Sequence, residues 1–171
     1  MDETDDLPNS PKLKEARHAA AAIIKALKIT EAPVTLNDVN NHIKKTVNLT
    51  VKGTNELSNS IDGVLKCVGD RVFILYNESK SVSRQRFTVA HEMGHLHMGH
   101  VHGNSSIDLG SDNFDEIEAN HYAAHLLMPP SLLRKDIKAG LKKVDLLAKK
   151  YQVSEEAMWW QIDKAGLLKI L

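Results

Sequence analysis

The chain has a single cysteine, Cys67, among 171 residues. It therefore has no internal disulfide and no cysteine-rich zinc site, a pattern that suits a reducing compartment. Cys67 itself reads as a small residue at a strand end. Net charge is lacking too: 22 Lys and Arg balance 22 Asp and Glu, and the sequence pI is ≈ 7.1. No overall field draws the protein to nucleic acid or anionic lipid, so direct DNA binding is not expected and any link to DNA should run through a partner. Long apolar runs are missing. The longest near the start, "AAAAII" at 19–24, is far too short to cross a bilayer. The opening "MDETDDLPNS" is acidic and polar, the reverse of a secretory signal. A cytoplasmic protein with no membrane partner is expected, and no internal repeat or low-complexity linker demands a second large domain.

What is present is ordinary globular material, 42% hydrophobic and 26% charged, long enough to bury a core unaided. A metal here is thus expected to serve chemistry rather than folding. After a disordered lead at 1–10, Leu13, Ala16, Ala20, Ile23, Ile24 and Leu27 mark one face of a helix. "TLND" at 35–38 has the capping-box pattern ahead of a second, short helix. "VNLTVKG" turns extended, and "SIDGVLKC" and "RVFILYN" around "VGD" predict an antiparallel hairpin. A helix follows from Ser81 to about Met98, then a Gly- and Ser-rich loop, then helices to the end, broken at Pro129 and Pro130.

The stretch "RFTVAHEMGHLHMGH" carries the chemistry. His91 and His95 are four apart, so on a helix both imidazoles leave one face and can reach one ion. Glu92 is rotated about 100° from His91, a poor ligand position but one beside a water at the metal, where a general base belongs. Phe87, Val89, Ala90, Met93, Leu96 and Met98 leave the helix almost no other polar face, which predicts burial. Gly94 in a helix interior costs about 1 kcal/mol against alanine and suggests close approach by another backbone. The next helix, "DEIEANHYAAHLLMP", offers a third ligand: Glu116 shares a small-residue face with Ala119, Asn120, Ala123 and Leu127. Glu118, with Tyr122 and His125 on a more polar face, is the alternative. Asn120 is placed to accept the free ring N–H of a ligating histidine. His97, His100 and His102 are expected on the solvent side or in the loop.

"RFTVAHEMGH" followed by "EIEANHYAAHLLMP" resembles the ImmA/IrrE family of zinc metallopeptidases, with "DGVLKCVGDRVFILYNES" similar to the hairpin that enters its catalytic helix. The resemblance covers roughly residues 60–131. It implies an α+β fold: a small antiparallel sheet on a helical H-E-x-x-H core, with helix-turn-helix-like helices behind. It implies a metallopeptidase domain at 11–130 and a C-terminal subdomain at 131–171 packed on it. It gives His91, His95 and Glu116 the metal positions and Glu92 the catalytic one, in a gluzincin-like metalloendopeptidase. Zinc suits such ligands, with manganese a competitor. The implied substrate is a helix-turn-helix transcriptional repressor, cut once to release mobile-element, phage or stress genes. The chain resembles the short members without a further sensory domain. Ser154 should cap the last long helix, whose Glu155, Glu156 and Asp163 ill suit a phosphate backbone, while Trp159 or Trp160 anchors it. The rival readings are a repressor-binding or toxin–antitoxin partner without proteolysis, and a DNA-binding regulator.

Overall fold

The computed structural model describes residues 10–100 and 113–171. The expected lead at 1–10 therefore falls almost wholly outside the described residues, as do most of the loop after Met98 and His102 within it. Among the described residues the fold is α+β, with seven α-helices and one three-stranded sheet. The order is α1 (Leu13–Ala26), α2 (Leu36–Ile43), β1 (Asn48–Thr54), β2 (Gly63–Val68), β3 (Arg71–Asn77), α3 (Val82–Met98), α4 (Asn113–Leu127), α5 (Pro130–Lys138), α6 (Val144–Tyr151) and α7 (Glu155–Lys164), closed by a 3-10 turn. None of the described helices is long and apolar enough to cross a membrane.

The hairpin forms as the alternation predicts, β2 antiparallel to β3 around Gly69 at φ 61°. The sheet, however, is mixed rather than antiparallel: β1 runs parallel to β3, in the order β1-β3-β2. The loop at 55–62 reverses the chain once and the hairpin reverses it again, so the third strand points the same way as the first. Buried Asn77 fixes that loop, its Nδ2 donating to Ser58 O at 3.1 Å and Ile61 O at 3.0 Å. The start of β2 is thereby held against α3.

Helix α3 lies between the sheet and α4, and α1 packs across both α3 and α4. Its first turn is capped by Ser81, whose hydroxyl accepts from Arg84 N at 3.3 Å. Thr35 occupies the equivalent position before α2 but makes no side-chain cap bond, so the capping box there is positional only. The face of α1 buries Ala16, Ala20 and Ile23. One cluster of buried apolar residues runs from Ala16 on α1 through Met93 and Leu126 to Leu167, each large member contributing roughly 1.5–3 kcal/mol of burial.

The last helices join this core. Pro130 takes the first position of α5, where its missing N–H costs nothing. Ser154 caps α7 by accepting from Ala157 N at 3.1 Å. Buried Gln161 of α7 donates to Met128 O at 2.9 Å, tying the helix to the end of α4. Of the two tryptophans, Trp160 packs on the core, edge to face with His121 at 4.8 Å, while Trp159 is exposed.

Candidate metal centre

Helix α3 is buried from Thr88 to Met93 on most sides because the sheet and α4 close over it, and the polar groups it carries inward must meet one another. Gly94 makes the closeness of α4 possible. A Cβ there would stand 3.1 Å from the Cα and carbonyl oxygen of Ala119 and 3.1 Å from Tyr122 Cβ, tighter than an alanine can accept without movement. The small-residue face of α4 is thus seated on the motif helix, with Glu116 at its head.

Three side chains converge in the gap. His91 Nε2 lies 3.2 Å from Glu116 Oε2, His95 Nε2 lies 3.1 Å from Glu116 Oε1, and the two Nε2 atoms are 3.0 Å apart. Tetrahedral ligands on bonds of roughly 2.0–2.1 Å stand about 3.3 Å from one another, so this donor set fits a small divalent ion such as zinc. Two imidazoles and a carboxylate are also the chemistry such an ion takes. Glu118, the alternative ligand, turns elsewhere.

The outer nitrogens of the two histidines are held differently. His91 Nδ1 meets Asn120 Oδ1 at 2.9 Å, the orienting bond expected of Asn120. His95 Nδ1 meets His100 Nδ1 at 3.0 Å, and His100 Nε2 meets Glu118 Oε2 at 2.9 Å. Glu118 Oε1 accepts the backbone N–H of Lys12 at 2.7 Å. One proton arrangement satisfies the whole row: His95 donates from Nδ1, His100 donates from Nε2, and His95 Nε2 is left with its lone pair toward the gap.

His100 lies past the end of α3, in the loop as the spacing predicted, but its side chain turns inward rather than to solvent. The correction has a local cause. Gly99 is left-handed at φ 73°, and the N–H groups of Gly99 and His100 bond back to Leu96 O at 3.3 Å and His95 O at 3.0 Å. This end motif folds the residue after the glycine over the residue five before it, here His100 over His95. The glycine in "HLHMGH" was the available signal. The face of α4 expected to be polar is likewise buried, Glu118 being 5% exposed and Tyr122 0%. His97 is exposed as expected, though its Nδ1 meets Tyr122 OH at 2.7 Å.

Glu92 sits one residue round the helix from His91, only 7% exposed, with Oε2 lacking any partner. Gly63 at the start of β2 lies alongside, where a Cβ would collide with the Thr88 methyl and come 3.7 Å from Glu92 Oε1. Burial, against the pull of His91 and with the repulsion of Glu116, pushes the Glu92 carboxyl up to about 7. The His91 and His95 rings against its two oxygens hold Glu116 far below the usual carboxylate range despite its burial. For His91 burial is the largest influence and lowers the imidazole, but Glu116, Glu92 and Asn120 together leave it raised. Burial lowers His95, with His91 and His100 adding to the effect against Glu116. The site thus combines a carboxylate kept ionised for an ion with a second, drier carboxyl poised near neutrality.

A family model described as IrrE N-terminal-like domain, of the M78 peptidases, matches residues 47–159. No curated protein matches the chain significantly. Among solved structures, a Mycobacterium tuberculosis transcriptional regulator superposes with a TM-score of 0.62 at 13% identity, covering 85% of this chain and 45% of its own. At that identity the likeness is one of fold, and this chain spans less than half of that protein.

Proposed function

Since the chain belongs to the IrrE N-terminal-like family of M78 peptidases, we propose that it is a cytoplasmic, zinc-dependent endopeptidase that cuts a helix-turn-helix transcriptional repressor at one bond. The observation that carries this reading is the meeting of His91, His95 and Glu116 around one gap, beside a buried Glu92 oxygen with no partner. His91, His95 and Glu116 hold the ion, zinc by preference and manganese as a competitor. When bound, such an ion supplies Lewis acidity, polarising a peptide carbonyl and lowering the pKa of water.

Everything else falls to the chain. Asn120 and His100 fix which nitrogen each imidazole presents, and Gly94 lets α4 bring Glu116 close enough. Glu92 takes the proton of the attacking water and returns it to the departing amine. The zero net charge, and Glu155, Glu156 and Asp163 on α7, favour contact with a repressor protein over contact with DNA. Residues 131–171 act as a helix-turn-helix-like subdomain supporting the peptidase domain at 11–130. Cleavage of the repressor releases the mobile-element, phage or stress genes it silences.

The test is incubation of the zinc-loaded protein with candidate helix-turn-helix repressors from its own source, wild type against Glu92→Gln. The variant should keep its zinc and its fold while cleavage falls by roughly 10²–10⁴-fold. Cleavage at the full rate by Glu92→Gln would sink the proposal. Stable co-purification with an intact repressor, unchanged when metal is stripped, would replace it with a non-proteolytic repressor-binding or toxin–antitoxin partner.

A further inference from the structure

An open cleft of about 720 Å³ adjoins the metal centre, between the first turns of α3, the face of α4 and the inner side of α7. Asn120, whose Oδ1 meets the ring of His91 at 2.9 Å, is part of its wall. Phe87, one turn before His91 and on the same face of α3, is another part. With Phe87, the half-buried Ile117 of α4 and Ala157 and Trp160 of α7 make up an apolar lining. All four keep some of their surface open to solvent. Trp160 is held in place edge to face with His121 at 4.8 Å. Around them stand the exposed Arg84, Glu156 and Lys164, charges of both signs.

The spacing along α3 says how such a cleft meets a polypeptide. Four helical residues advance about 6 Å, a distance an extended chain covers in about two residues. A chain with its scissile carbonyl at the metal therefore brings to Phe87 a side chain one or two positions from the cut. The mixed rim charges select no ion, whereas an apolar lining that keeps open surface gains by covering it. Resting on the peptidase reading, we propose that this cleft receives a large apolar side chain of the substrate, one or two residues from the scissile bond, with Phe87, Ile117 and Trp160 setting the preference. Asn120 assists: its Oδ1 is taken by His91, and its amide N–H groups, with no acceptor among the described residues, donate to the substrate backbone. Selection then depends on α7, a helix that supplies no metal ligand.

Hydroxamates grip zinc directly, so they report on the cleft without a known substrate. Acetyl-phenylalanine hydroxamate carries a benzyl group on one side of the zinc-binding head, and 2-benzylsuccinyl-alaninamide hydroxamate carries it on the other. Each is paired with a counterpart lacking the benzyl and titrated calorimetrically into the intact zinc-loaded protein. At least one benzyl compound should bind roughly tenfold or more tightly than its counterpart, and which one does so fixes the direction of the chain. Trp160→Ala should erase most of that gain while zinc content and the counterpart's Kd stay at wild-type values, a pattern that general destabilisation does not produce. Equal binding within both pairs, or a gain that survives Trp160→Ala, overturns the proposal and leaves the peptidase reading standing. Binding of no hydroxamate at all overturns that reading and the proposal with it. Should Trp160→Ala fail to fold, Ile117→Ser on α4 makes the same distinction.

Discussion

His91 and His95 present the same atom to the same gap, yet the protein secures them in opposite ways. His91 stands at the rim, and its outer nitrogen is held by one bond of 2.9 Å to Asn120, an exposed side chain. His95 is 1% exposed and is backed by a row of buried polar groups, through His100 and Glu118 to the N–H of Lys12. At the rim, water can replace a lost acceptor at little cost. In the interior nothing can, so a broken link leaves a buried polar atom unsatisfied at about 1–3 kcal/mol. The inner histidine should therefore depend on its support far more than the outer one.

The largest effect should come from removing the inner ligand itself. His95→Ala deletes a donor and strands His100, so bound zinc measured by elemental analysis should fall from one per chain to nearly none, and peptide cleavage should vanish. Retention of stoichiometric zinc would place the ion elsewhere, for instance among His100, Asp115 and Glu118, the other described group with donor atoms within 4.8 Å of one another. Next comes His100→Leu, which keeps all three ligands but leaves His95 Nδ1 facing a hydrocarbon. Zinc affinity in a chelator competition should drop by roughly 10–100-fold, with much of it recovered in His100→Gln. Asn120→Ala should cost less, about tenfold or under, because solvent takes over at His91. If the Asn120 variant proves the weaker binder, the contrast between the two histidines is wrong.

Much of this was legible in the sequence, for reasons that are local. The hairpin follows from alternation and its turn, α3 from Ser81 and the apolar spacing, and the packing of α4 on α3 from Gly94 facing a row of small residues. Glu116 faces His91 and His95 because helical periodicity leaves it on that row and turns Glu118 away. What the sequence withheld depends on chain path. The parallel pairing of β1 follows from two reversals that strand composition does not encode. The role of His100 depends on the left-handed Gly99, and histidine count alone draws the eye to the wrong property. Burial of Glu118 and Tyr122 depends on α1 and the Lys12 segment arriving from over a hundred residues away in the chain.

His125, two turns and more along α4 from Glu116, sharpens the comparison with the smallest effect. Unlike His100 it meets no carboxylate among the described residues: its Nδ1 donates to His121 O at 3.2 Å. Burial, then the nearby Arg17 and His121, pull it down to about 4. In the unfolded chain it titrates near 6.5. As pH falls below about 6.5 the unfolded state takes a proton that the native state refuses until about 4, so stability is lost across that window and no further below it. The loss should be roughly 2 kcal/mol, somewhat under the full ~1.4 kcal/mol per unit because the ring is only partly buried. Urea unfolding at pH 7 and pH 4.5, with metal removed by chelator at both, should show His125→Gln losing less on acidification by about that amount. An equal loss in both proteins would mean that the acid-sensitive proton enters elsewhere.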